Sequence, residues 1–323
     1  MFQPIGRRYA MNGNYFYTVQ PKDRSRWREL HGIHVEFAIP AADALPPESA
    51  AEIVRNALDS EFVFYRVPAL STANIPADVR ITAGGANAGF TSLAAAFDYL
   101  EAHPDKTVWV MNWDSPDFPR DDSLAENGVL LVLAGPRFDT GREPLAWIGR
   151  PAVRSAADFE TRDGQSRVTQ AWRAALGAAS DNAGVSPAQL GYVIHDAGTG
   201  SDAASARIGR LAQTLTENLP EFDFLAQSFN TSKLLGDMRA GGALTNVALA
   251  VAWTHQKGQP VLVAGTHDTG RPTLTVVTPP ARPRIVDPER NWFRARGEGN
   301  AYLPWWGLRR DADWSRYSQG FSD

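Results

Sequence analysis

Two stretches of the chain superimpose without a gap. Gly89-Phe-Thr-Ser-Leu-Ala-Ala-Ala-Phe-Asp-Tyr-Leu leads to Val108-Trp-Val-Met-Asn-Trp-Asp114, and Gly242-Ala-Leu-Thr-Asn-Val-Ala-Leu-Ala-Val-Ala-Trp leads to Val261-Leu-Val-Ala-Gly-Thr-His267. Each reads as a helix of small residues followed by an apolar strand. Alanines recurring every three or four positions suit a helix packed closely against another helix or a sheet, so both helices are expected at the centre of the molecule. A chain built this way is expected to fold as an α/β structure with a duplicated core.

The flanking periodicity agrees. The first half reads as a strand at Gly32 to Ile39, a helix at Pro47 to Leu58 and a strand at Glu61 to Val67. A small-residue loop at Ala83 to Gly89 then opens a helix to Leu100, and strands follow at Thr107 to Met111 and Asn127 to Ala134. The second half reads as a helix at Ser166 to Asn182, a strand at Gly191 to His195 and a helix at Ala203 to Asn218. It continues with a strand at Asp223 to Ser228, a helix at Ala240 to His255, and strands at Pro260 to Ala264 and Leu274 to Val277. Alternation of this kind is the pattern of α/β layers. The expected division is an N-terminal extension over 1–30, a first half over 31–150, a second half over 151–280 and a tail over 281–323.

The tail changes in composition. It carries eight aromatic residues, Trp292, Trp305, Trp306 and Trp314 among them, beside eight arginines, and it follows Pro279-Pro280. Prolines at 279, 280, 283 and 288 exclude a central strand. The rings either dock on their own domain or form a contact for a partner, and the four tryptophans are the candidate partner-binding residues.

Composition removes whole classes of function. The chain has 323 residues and no cysteine, so thiolate nucleophiles, thiolate metal sites and disulfides are all excluded. With 32 basic and 36 acidic side chains, net −4, there is no broad basic face for nucleic acid. The longest apolar runs, Val129 to Gly135 and Val247 to Trp253, are too short to span a bilayer. No apolar stretch near the N-terminus resembles a secretory signal, so a cytoplasmic protein is expected.

Three segments match, in order, the signature regions of β-ketoacyl synthases. They are the Gly-rich loop before Gly89, the run His195-Asp196-Ala197-Gly198-Thr199-Gly200-Ser201, and Ser232-Lys233-Leu234-Leu235-Gly236-Asp237 with the following Ala240-Gly241-Gly242-Ala243. Over about residues 30 to 278 the chain resembles the thiolase superfamily, and the resemblance implies a duplicated five-layer α/β/α/β/α fold. It also implies a homodimer paired through a strand of the first half.

In that family a cysteine at a helix N-terminus attacks the acyl thioester, where the helix dipole and backbone N–H groups stabilise thiolate and oxyanion, and two histidines assist. The resemblance lays Gly89, or a neighbour within a residue or two, on the cysteine, His195 on the first histidine and Asp237 on the second. Glycine cannot attack, and a carboxylate accepts hydrogen bonds where a neutral imidazole donates one. Thr91 and Ser92 lie inside the helix with no histidine placed to activate them, and read as packing or capping residues.

The chain is therefore expected to be a non-catalytic, cofactor-free protein whose retained property is a binding surface. It is similar to the thiolase-like accessory proteins of bacterial type VI secretion clusters, adaptors or co-chaperones that load effectors onto the spike. Two enzymatic alternatives stay open: residual acyl transfer or decarboxylation using His195, and a metal-dependent hydrolase. In the second, His195 and His267 follow strands, and Asp114, Asp202 and Asp237 gather at the same sheet edges. The vestigial pocket is expected to comprise Gly89, His195, Asp237 and His267.

Overall fold

The computed structural model describes residues 33–41, 46–62, 77–114, 126–139 and 143–282. It also describes two short strands, β1 (Arg7–Tyr9) and β2 (Phe16–Thr18), which pair antiparallel. The tail with Trp292, Trp305, Trp306 and Trp314 lies outside the described residues.

The first half follows the order β3 (His34–Pro40), α1 (Pro47–Phe62), β4 (Asp78–Gly84), α2 (Ala88–Ala102), β5 (Thr107–Asp114), β6 (Asn127–Ala134). The second opens with two short strands, β7 (Trp147–Ile148) and β8 (Ala152–Val153), and α3 (Arg167–Asn182), capped by the Ser166 hydroxyl on the Thr169 N–H. There follow β9 (Tyr192–His195), α4 (Asp202–Asn218), β10 (Ser228–Asn230), α5 (Thr231–Leu235), α6 (Gly242–Lys257), β11 (Val261–Gly265) and β12 (Thr273–Thr278).

The two sheets share one topology. In the first the order is β4-β3-β5-β6, and in the second β10-β9-β11-β12 with β7 and β8 added beyond β12. In each sheet three strands run parallel and the last turns back antiparallel. Registers correspond as well: Val108 pairs with His34 as Val261 pairs with Tyr192. The duplication expected from the sequence is the fold.

Three apolar cores define five layers. The central one gathers Phe90, Leu93 and Leu100 of α2 and Leu244, Val247 and Ala250 of α6 with Val108 and Val110 from one sheet and Val261 and Val263 from the other. The two alanine-rich helices therefore lie between the sheets. On the far face of the first sheet, α1 places Leu58 against Val35, Phe37 and Val79. On the far face of the second, α3 and α4 bury Trp172, Leu176, Leu211 and Leu215 against Leu262, Leu274 and Val276.

β7, β8 and α5 are additions to the sequence reading, and three of its assignments change. The helix at Pro47 runs to Phe62, so Glu61 and Phe62 are helical, and residues 63–67 lie outside the described residues. The strand after that helix is β4, of which only Ala83 and Gly84 fall in the stretch read as loop and the first five residues carried no reading. The expected strand at Asp223 to Ser228 starts only at Ser228, because the Asp223 carboxylate accepts the Leu225 and Ala226 N–H groups and holds a turn there.

Candidate functional site

Gly89 lies in the first turn of α2, at the crossing of the two central helices. A Cβ on it would stand 2.9 Å from Leu244 Cγ, 3.0 Å from Ala243 Cβ and 3.1 Å from the Leu244 backbone nitrogen. The place laid on the family's nucleophile is occupied by the facing helix. The other helix is seated in the same manner: a Cβ on Gly241, just before α6, would overlap Asn127 Oδ1, which accepts a 2.6 Å hydrogen bond from Asn112 Nδ2. Thr91 Oγ1 turns back to the Asn87 carbonyl at 3.4 Å, and Ser92 is buried within the central layer.

His195 ends β9. Its ring is buried, lies 5.7 Å from that of Phe224, and accepts the Ala197 N–H at Nδ1 over 3.3 Å. An accepting Nδ1 places the proton of the neutral ring on Nε2. Burial lowers its pKa from 6.5 to about 4, because a desolvated imidazolium has lost its hydration without gaining a counter-charge. The next residue, Asp196, is also buried. Its Oδ1 accepts both the backbone N–H and the hydroxyl of Thr266 at 2.8 Å, while Oδ2 has no hydrogen-bond partner and faces His267 Nε2 at 3.8 Å. Thr231 and Ser232 at the start of α5 donate hydroxyls to the His195 and Asp196 carbonyls, fixing this strand end.

His195 and His267 thus share the carboxyl end of the second sheet. Asp237 is exposed, and its Oδ1 accepts the Arg239 N–H at 2.9 Å. Arg239 has a φ of +39°, the one positive φ of a non-glycine among the described residues, and its guanidinium forks onto Asp114 at the end of β5. Asp114 is therefore a partner of Arg239 and Asp202 the first residue of α4, so the carboxylates do not assemble around a shared centre. Among the described residues no group of three His, Asp or Glu side chains is placed to hold a metal ion, which leaves the hydrolase reading without a ligand set.

Sequence reasoning missed the Arg239–Asp114 fork. It also missed His34, buried at the start of β3 between Glu36 Oε1 at 2.6 Å and Asp78 Oδ2 at 2.9 Å and stacked on Tyr99. The alternation of His34, Glu36 and Ala38 in one strand was the available signal for the second of these.

The architecture has solved counterparts. An oxazolomycin ketosynthase domain of Streptomyces albus aligns with a TM-score of 0.55 at 12% identity, covering 84% of this chain and 78% of that one. The ishigamide ketosynthase/chain length factor gives 0.50 at 17%, covering 78% and 74%. OleA of Xanthomonas campestris gives 0.51 at 14%, covering 78% and 76%. The fold is thiolase-like. Residues 145–279 match the family model described as type VI lipase adapter protein Tla3, C-terminal, a stretch that begins just before β7 and ends after β12. No curated protein sequence matches the chain. No helix among the described residues is long and apolar enough to cross a membrane.

Proposed function

We propose that this thiolase-like protein is a non-catalytic adaptor that binds a type VI lipase effector and presents it for loading onto the secretion spike. The observation that carries the reading is the likeness of residues 145–279 to the C-terminal region of a type VI lipase adapter. The geometry at Gly89 supports it. Where the resemblance calls for an attacking group, the side chain is hydrogen and Ala243 and Leu244 of the facing helix fill the space. An exposed carboxylate, Asp237, stands in the sequence place of the second histidine and is spent on a backbone turn.

The test is co-expression of the tagged full chain with the lipase effector of the same secretion cluster, followed by size-exclusion chromatography. The expected result is a stoichiometric complex that survives the column at micromolar concentration. Separate elution of chain and lipase overturns the reading. The same column decides whether the free chain is the homodimer that the family resemblance implies.

A further inference from the structure

The duplication lets the carboxyl ends of the two sheets be compared residue by residue. Extended back from Gly89 and Gly242, the gapless repeat lays Ala86 on Arg239 and Asn87 on Ala240, and at its far end it lays Asp114 on His267. The registers agree. Ala38 of β3 pairs with Asn112 of β5, and in the second sheet one step beyond the pair His195 and Ala264 sets Asp196 opposite Gly265.

The first of these ends is neutralised within the chain, by the guanidinium of Arg239 on the buried Asp114. The second also buries a carboxylate. Asp196 is 2% exposed, and its Oδ1 accepts the N–H and the hydroxyl of Thr266. Among the described residues its Oδ2 has no hydrogen-bond partner, and His267 Nε2 stands 3.8 Å away, beyond hydrogen-bond reach. The position that answers to Arg239 is Ala86, which has no cation to offer. Beside it Asn87 carries a second buried acceptor without a partner, Oδ1, which lies 2.7 Å from where a Cβ on Gly265 would stand.

Buried acceptors without a donor are costly, and a carboxylate oxygen is the costliest of them. What completes this end is a group with several N–H donors and a positive charge, and the planar guanidinium fork has both in the geometry that suits a carboxylate. The His267 side chain is 29% exposed, so Asp196 Oδ2 lies one ring away from solvent.

We propose that the carboxyl end of β11 is a binding site for a guanidinium group, held by Asp196 Oδ2 and Asn87 Oδ1 beside His267, in the place that Arg239 fills in the first half. Two sources share this chemistry, a free small molecule and an arginine side chain of a bound protein. The site does not depend on the adaptor reading.

Methylguanidinium chloride, titrated into the full chain against sodium chloride at equal ionic strength, is expected to raise the thermal unfolding temperature saturably, as a ligand of the folded state does. Asp196→Asn keeps the acceptor that Thr266 uses and removes the charge. Its apparent affinity for methylguanidinium is expected to be about tenfold or more weaker, the loss of a charge-assisted hydrogen bond. Ala86→Arg supplies the guanidinium from within the chain, and is expected to raise the unfolding temperature and abolish the methylguanidinium shift. Neither effect should appear when Asp196→Asn is added. No saturable shift in the wild-type chain, an equal shift in Asp196→Asn or an undiminished shift in Ala86→Arg overturns the proposal; the first is also the result if an arginine of this chain already holds the place. Lipase binding separates the two sources. Weaker capture of the lipase by Asp196→Asn assigns the guanidinium to an arginine of the lipase, and equal capture assigns it to a free cation. A chain that binds methylguanidinium and not the lipase keeps this site and loses the adaptor reading.

Discussion

Replacing Arg239 by alanine is expected to cost about 3 kcal/mol of stability, the lower end of the range for stripping a buried ion of its partner. The Asp114 side chain is 2% exposed at the end of β5, and among the described residues the guanidinium of Arg239, itself 37% exposed, supplies both of its hydrogen bonds. Removing the arginine leaves the Asp114 carboxylate without its counter-charge. The partial exposure of Arg239 admits some solvent to the gap, which is why the lower end applies. The pair also joins the first sheet to the turn before α6, 125 residues away in the chain. Urea unfolding of Arg239→Ala, Asp114→Asn and the double variant checks the account. The double variant should recover about half of the single arginine loss, because a neutral amide needs no counter-charge. A loss below about 1 kcal/mol for Arg239→Ala would show that the fork contributes little.

The second large effect is a pH dependence. The folded His195 ring has its pKa lowered from 6.5 to about 4 by burial. Above pH 6.5 neither the folded nor the unfolded chain holds a proton there, and the full stability is present. Between 6.5 and 4 the unfolded chain takes up the proton and the folded chain does not, so stability falls as pH falls. Below 4 both are protonated and the loss is complete. Integrated across that window, the loss is about 3 kcal/mol. The contribution of His195 is isolated by unfolding wild type and His195→Gln at pH 7.5 and pH 4.5, since all other groups titrate in both. Wild type should lose about 2.5 kcal/mol more than the variant on acidification. Equal losses in the two proteins would mean that the ring accepts a proton in place.

The parts of this fold that could be read from the sequence are those in which local pattern and burial agree. The gapless repeat of Gly89–Asp114 in Gly242–His267 is a direct image of two helices crossing between two sheets, because only small residues permit that approach and a Cβ at Gly89 would already press on Leu244. Strands such as β9 and β11 are short continuous apolar runs buried on both faces. The edge strand β4 was hidden because Asp78-Val-Arg-Ile-Thr-Ala-Gly buries only Val79 fully and ends in residues that also suit a loop.

The site was legible only in part. That His195 and His267 share a sheet edge follows from strand order, whereas the Asp114–Arg239 pair depends on a positive φ and a separation that no local pattern encodes.

The central claim is that the seat of the family's attacking sulfur is filled by packing, so that the scaffold serves recognition and not acyl chemistry. Gly89→Cys tests it most directly, because the variant carries the only thiol in the chain. After incubation with an acyl thioester, the intact mass is read alongside thermal unfolding. The account predicts a protein destabilised by about 2 kcal/mol from overpacking against Ala243 and Leu244, with no acyl adduct. A variant as stable as wild type that takes up one acyl group would contradict it.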